Sequence, residues 1–329
     1  MCVPHHHFKT SPENIARAAT LLFEGKLVAF PTETVYGLGA NAINGKAVAG
    51  IFETKGRPNF NPLIIHVATL TEAENLVKFN TKAKTLAQEF WPGPLTLVLP
   101  RRTNSEVSEI ASAGLDTLAI RIPSHKICRK LLQAVKVPIA APSANRSGSV
   151  SPTTAQHVSE SLGSSVDFIL DDGPCSIGVE STILDVSGDT IKLLRPGGIT
   201  LENLTRVAGA IQTFSDEEQK TIAPGMLSHH YATVLPLRMD ASEVQPGEAL
   251  LAFGRVSTKN TGMVYNLSES EDLSEAAANL FGMMRLVDQP QNKGIAVTPI
   301  PDHGLGRAIN DRLKRASHKH PLAPNCTIS

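Results

Sequence analysis

Residues 137–153 read VPIAAPSANRSGSVSPT. An apolar run, VPIAA, passes without a break into a loop of small donors: Ser143, Asn145, Ser147, Ser149 and Ser151. The apolar part predicts a buried strand. The helical spacing of TTAQHVSESLG (153–163), capped by Thr153 or Thr154, predicts a helix after the loop. In α/β sheets ligands bind at the carboxyl ends of such strands. A flexible Ser/Gly loop is the plainer alternative, and direct adjacency to a buried strand favours a binding loop.

The same alternation extends in both directions. Ser11-Pro12 starts a helix whose apolar face is Ile15, Ala18, Ala19 and Leu22, stopped by Gly25. LVAF (27–30), PLIIHV (62–67), PLTLVLP (94–100) and TLAIRIP (117–123) read as strands, and 45–56 and 125–135 as helices. VDFILDDG, STILDVS and IKLLRPG add three strands, and LENLTRVAG (201–209) a last helix. So many strands among helices predict an α/β domain with a large mixed sheet over residues 1–210. Residues 211–233 lose periodicity and read as a linker. Residues 234–329 hold four further strand candidates and two helices, 272–289 and 304–319, which predicts a small Rossmann-like α/β domain.

Composition narrows the function classes. The chain of 329 residues suits two domains, and 41% hydrophobic residues suffice for real cores. Lys+Arg and Asp+Glu number 31 each, so a global electrostatic grip on nucleic acid is not indicated. Cys2, Cys128, Cys175 and Cys326 form no CxxC pair, which argues against a zinc ribbon and for a reducing, cytoplasmic setting. No apolar run is long enough to span a membrane, and MCVPHHHF lacks the apolar core of a signal peptide.

Polar constellations interrupt the apolar runs. PTETVYGLG (31–39) offers Thr32, Thr34 and Tyr36 hydroxyls beside two glycines, and taken alone it is a strand-to-helix turn. FETKGRPNFNPL (52–63) presents Lys55 and Arg57 on a backbone stiffened by two prolines. A lysine at a helix end is common; a guanidinium locked before Pro58 suits bidentate binding of phosphate or carboxylate. Arg121 lies in a strand that should be half buried, where it needs an anionic partner. His5-His6-His7 reads as a frayed tail and His66 as a core histidine. Asp171-Asp172 reads as a solvated turn, and Arg307, Arg312, Lys314 and Arg315 as a solvated basic face.

In order, PTETVYGLG, KGRPNFNPLIIHV, FWPGPLTLVL, LAIRIP, APSAN, VESTI and LLRPG resemble the YrdC family over residues 12–200. The segment PGM…HYA (224–232) and the second domain resemble the family's two-domain form. The resemblance implies a twisted α/β sheet with a basic concave face. It also implies an L-threonylcarbamoyladenylate synthase, which turns L-threonine, bicarbonate and ATP into threonylcarbamoyl-AMP and pyrophosphate. Mg2+ would arrive with ATP rather than in a protein metal site. The product would pass to a tRNA threonylcarbamoyl transferase complex, with at most a weak contact to tRNA. Carried over residue by residue, Lys55, Arg57, Ser143 and Asn145 are catalytic. Arg57, Asn61, Thr117, Ser143, Ser151, Arg195 and Tyr231 bind ATP. Thr34, His66, Arg121, Ala141 and Ser181 bind threonine, which revises the core assignment of His66. LSHHYAT departs from the family's basic-HYAP form at the proline after Tyr231. A non-catalytic RNA-binding module of the same fold is the competing class; zero net charge and 5% aromatic residues weigh against it.

Overall fold

The computed structural model describes residues 7–213, 231–256 and 262–318. Its elements begin with β1 (His7–Lys9), α1 (Pro12–Phe23), β2 (Val28–Phe30), β3 (Gly37–Asn41), α2 (Gly45–Lys55) and β4 (Ile64–His66). They continue through α3 (Leu70–Leu76), α4 (Thr81–Phe90), β5 (Leu95–Pro100), α5 (Glu109–Ser112), β6 (Thr117–Arg121), α6 (Lys126–Val135) and β7 (Ile139–Ala140). Then come α7 (Ala155–Leu162), β8 (Phe168–Asp171), β9 (Thr182–Asp185), β10 (Lys192–Arg195), α8 (Leu201–Ala208) and β11 (Gln212–Thr213). The second unit comprises β12 (Leu237–Arg238), β13 (Glu248–Ala252), β14 (Val264–Asn266), α9 (Leu273–Val287), β15 (Gly294–Val297) and α10 (Gly306–Ser317).

The first eleven strands form one mixed sheet in the order β1-β8-β2-β3-β7-β4-β6-β5-β9-β10-β11. Side chains alternate across its faces, and the alternation separates core from site. Ile65, Leu97, Leu99, Leu118, Ile120 and Leu184 join the main core under the helices. Their neighbours Ile64, Val98, Ala119 and Ile183, with Leu194, form a separate small apolar cluster. Since the period is two, His66 shares the face of Ile64, and Thr117 and Arg121 share the face of Ala119. Register then sets His66 directly beside Arg121 across β4 and β6.

Local signals explain the element ends. The Ser11 hydroxyl accepts from the Asn14 N–H to cap α1, and Thr154, not Thr153, caps α7. At the end of α2, Gly56 takes φ 60°, the left-handed conformation that glycine adopts without Cβ strain, and the chain turns sharply into Arg57. The PTET segment does not lead to a helix. It returns as β3, antiparallel to β2, because Gly39 lies flat against Phe30; a Cβ there would sit 2.6 Å from the Phe30 ring. His7 is not frayed, since β1 pairs in parallel with β8; His5 and His6 lie outside the described residues.

The second unit is a four-stranded parallel sheet in the order β12-β15-β13-β14, which fits the small α/β domain expected there. Its apolar cluster includes Leu251, Phe281, Ile295 and Ile309, and it takes in Val35, Val150 and Val179 from the first unit. The two units therefore share a buried apolar seam. Gly178 sits on that seam, where an added Cβ would fall 2.3 Å from the Ala277 carbonyl oxygen of α9. Most of the expected linker, residues 214–230, lies outside the described residues; Tyr231 and Ala232 re-enter beside the loop after β7, where the Ala232 N–H donates to the Gly148 carbonyl at 2.8 Å.

Candidate active site

A cleft opens on the face that carries Ile64 and Ala119. Thr34, Arg57, His66, Arg121, Ala141, Ser143, Ser181 and Arg195 line it, together with Thr32, Glu33's neighbour on the PTET turn, and Glu180. Eight expected site residues thus meet in one place. An antiparallel bridge between Gly37 and Ser143 draws the PTET turn against the PSAN loop.

Lys55 stands just behind this wall, 3% exposed. Its ammonium donates to the carbonyl oxygens of Ser143, at 2.5 Å, and Asn145. An ammonium has three protons to donate, so one remains for a ligand. Burial, and then the charge of Arg57, push its pKa well below the usual lysine range. Arg57 donates from Nε to Asn61 O at 3.2 Å and from Nη2 to Pro62 O at 2.9 Å. Burial, and then the charge of Arg195, bring its pKa down to about 9. Among the described residues, neither Lys55 nor Arg57 makes an ion pair with a carboxylate. The same two causes predict a strong response to an arriving anion, which would reverse both shifts.

Arg195 is held to the Ser181 carbonyl by Nε at 3.2 Å and Nη2 at 2.9 Å. It is buried rather than a surface residue, and burial lowers its pKa. Ser181 in turn shares a hydrogen bond of 2.7 Å with Thr96.

Arg121 has the anionic partner its burial requires. Nη2 meets Glu33 Oε1 at 2.6 Å, Nη1 donates to Thr34 Oγ1 at 3.0 Å, and Nε donates to the Gly93 carbonyl at 3.2 Å. Burial pushes the Glu33 carboxyl up, but the charge and hydrogen bond of Arg121 more than offset it and hold Glu33 below its usual range. Glu33 is a residue that sequence reasoning missed; a single acid inside the otherwise buried run PTETVYGLG was its signal. His66, 4% exposed, is neutral at pH 7, since burial and then Arg121 push its pKa down to about 3. Its Nδ1 has no partner.

The remaining expected residues surround the cleft without lining it. Asn61 is fully buried beside Arg57, with both side-chain polar atoms unpartnered. Asn145 donates from Nδ2 to Ser149 O at 2.9 Å and so folds its own loop, leaving Oδ1 unpartnered. Ser151 donates to Glu180 Oε1 at 2.6 Å. Thr117 begins β6, about 13 Å along the strand from Arg121. Tyr231 is buried against Phe281, ring centroids 5.4 Å apart, on the seam between the units. Of the four cations expected to face solvent on the last helix, Arg312 is fully buried and Arg315 is 7% exposed. Arg307 pairs with Glu202 of the first unit. Among the described residues, no group of three or more His, Cys, Asp or Glu side chains is placed to hold a metal ion. Glu180 in the cleft lining and Glu33 beside it are both engaged by arginines.

Buried cations at the strand ends of a mixed sheet define a protein that takes small anionic substrates. Residues 20–197 match the Sua5–YciO–YrdC family, described as "Telomere recombination", and residues 199–318 match "Threonylcarbamoyl-AMP synthase, C-terminal domain". The chain belongs to this family in its two-domain form. It is 43% identical to the threonylcarbamoyl-AMP synthase of Bacillus subtilis, with 94% of each chain covered. The solved structure of Pyrococcus abyssi Sua5 complexed with L-threonine superposes with a TM-score of 0.87 at 40% identity, covering 95% of this chain and 97% of that one. A shorter relative, a putative threonylcarbamoyl-AMP synthase of Methanocaldococcus jannaschii, is 36% identical over 56% of this chain and 86% of its own.

Proposed function

We infer that this protein is a threonylcarbamoyl-AMP synthase, which joins L-threonine, bicarbonate and the adenylyl group of ATP and releases pyrophosphate. The observation that carries the inference is the division of one cleft between two kinds of cation. Lys55 and Arg57 are desolvated without a carboxylate, whereas Arg121 is fixed by Glu33 and Thr34 beside a neutral His66.

The chemistry assigns roles to these residues. The threonine amine captures bicarbonate with loss of water, giving a carbamate. A carbamate oxygen then attacks the α-phosphorus, and the bond to the bridging oxygen breaks as pyrophosphate leaves. Both reactants are anions, so they approach only where fixed cations offset their repulsion. Lys55 and Arg57 stand where they can do this for carbamate and phosphates, and Arg195 on the nucleotide side. The remaining hydrogen-bonding capacity of Arg121 suits the threonine carboxylate, and Thr34, Ser181 and Ala141 shape the pocket for its side chain. Asn61, Ser143, Asn145, Ser151 and Thr117 serve the nucleotide, with Tyr231 closing from the seam. No strong nucleophile is required, because ATP supplies the driving force; positioning and preorganised charge supply the rate. Mg2+ comes with the triphosphate as part of the substrate, since a cleft lined by cations repels a free metal ion. Among the described residues no helix is long and apolar enough to cross a membrane. We place the reaction in the cytoplasm, with the product handed to a tRNA threonylcarbamoyl transferase complex.

The test is pyrophosphate release from ATP. It should require both threonine and bicarbonate; ATP turnover indifferent to threonine would overturn the proposal.

A further inference from the structure

Helix α10 belongs to the second unit, yet one of its side chains ends inside the first. Arg312 is fully buried. Its Nε and Nη2 donate to Glu180 Oε2 at 3.0 and 2.9 Å, and its Nη1 donates to the Pro196 carbonyl at 2.5 Å and to Asp311 Oδ2 at 3.0 Å. The other oxygen of Glu180 accepts the Ser151 hydroxyl at 2.6 Å. Pro196 directly follows Arg195. The segments carrying Glu180 and Pro196 are themselves in backbone contact: the Gly198 N–H donates to the Glu180 carbonyl at 3.0 Å, and a Cβ on Gly197 would lie 2.3 Å from that oxygen. One guanidinium therefore fixes both.

We propose that Arg312 is a positioning residue through which the second unit sets the nucleotide side of the active site, acting on Ser151 through Glu180 and on Arg195 through the Pro196 carbonyl. This rests on the functional assignment above. Two physical arguments support it. A buried ion pair adds little net stability compared with apolar side chains of similar size, and a large apolar cluster already joins the two units along the seam. Holding the fold together is thus a weak reason for the pair. Secondly, Glu180 lines a cleft for anions. Unneutralised, its carboxylate would repel a triphosphate and leave Ser151 without a fixed acceptor; the two nitrogens of Arg312 remove the repulsion and hold the carboxylate in one orientation.

The experiment is steady-state pyrophosphate release with ATP and threonine varied separately. Arg312→Met is expected to raise KM for ATP about tenfold or more, as for loss of a charge-assisted hydrogen bond, with KM for threonine within about twofold. Arg312→Lys keeps the charge and should recover part of the loss. Ser151→Ala combined with Arg312→Met should raise KM for ATP no further than the worse single variant, because both break one chain of contacts. If Arg312→Met does not fold, Glu180→Gln/Arg312→Met removes both charges together; it relieves the repulsion but not the lost positioning of Pro196, so a smaller rise in KM for ATP, still more than about twofold, is expected with KM for threonine unchanged. A KM for ATP within about twofold of wild type in a folded variant, or effects of Ser151→Ala and Arg312→Met that multiply, would overturn the proposal. Wild-type release that needs no threonine would instead overturn the functional assignment, so the two failures are distinguishable.

Discussion

In and behind the wall of the cleft stand two populations of buried cation, and they are stabilised in opposite ways. Arg121 faces the Glu33 carboxylate at 2.6 Å, and Arg312 faces those of Glu180 at 2.9 Å and Asp311 at 3.0 Å. Lys55 and Arg57 face only carbonyl oxygens, and burial lowers the pKa of both. Carbonyl dipoles solvate a cation but leave its net charge intact. The first population is charge-neutralised without ligand; the second remains electrostatically unsatisfied and is ready for an anion. Burial alone therefore does not tell which cation still carries an unneutralised charge, whereas the presence of a carboxylate does: Arg121 can offer a substrate its spare donors, and Lys55 and Arg57 offer their net charge.

The largest test of this contrast is Arg121→Met. It strands the Glu33 carboxylate in the core, and we expect a loss of about 3–5 kcal/mol in urea unfolding, mostly regained in Glu33→Gln/Arg121→Met although threonine binding stays impaired. Lys55→Ala or Arg57→Ala should do the reverse. Threonine-dependent pyrophosphate release should fall about 100- to 1000-fold, while the melting temperature changes far less than in Arg121→Met, since no carboxylate loses its partner. A large thermal penalty in Lys55→Ala would break the distinction.

A smaller effect concerns the anion itself. Pyrophosphate at about a hundred times its Kd should stabilise the wild type by about 2.7 kcal/mol in thermal unfolding and leave K55A/R57A unmoved. The smallest effect at neutral pH belongs to His66, which lies beside Arg121 across β4 and β6. Its folded pKa of about 3 lies below the unfolded value of 6.5. Its stability contribution is therefore full above the unfolded pKa and is lost as pH falls from 6.5 toward 3. His66→Asn should thus flatten the acid side of the stability curve. Equal urea midpoints for wild type and variant throughout that acid window would contradict the assignment.

Much of this was legible beforehand. PLIIHV and TLAIRIP announced the strands that carry His66 and Arg121, the strand position of Arg121 announced its need for an anionic partner, and VPIAAPSAN announced a strand ending in a donor-rich loop; His66 by its residues alone read as a core histidine. The glycine after Lys55 announced the turn that presents Arg57. Glu33 and Glu180 were not legible, because their partners lie 88 and 132 positions away along the chain. Arg312 misled for a related reason. Four basic residues within one helical stretch look like a solvated face until another unit packs on that face. The PTET turn misled because two glycines near a strand end look like a helix entry, whereas here they let β3 lie close against Phe30.

The sequence by itself determined which residues form strands and helices and where many of them end, because periodicity and capping act over a few neighbouring residues. Only the tertiary structure decided which cations are neutralised. Coulomb interactions depend on distance and burial, and the sheet order β7-β4-β6-β5-β9-β10 and the docking of α10 set both for residues far apart in the chain.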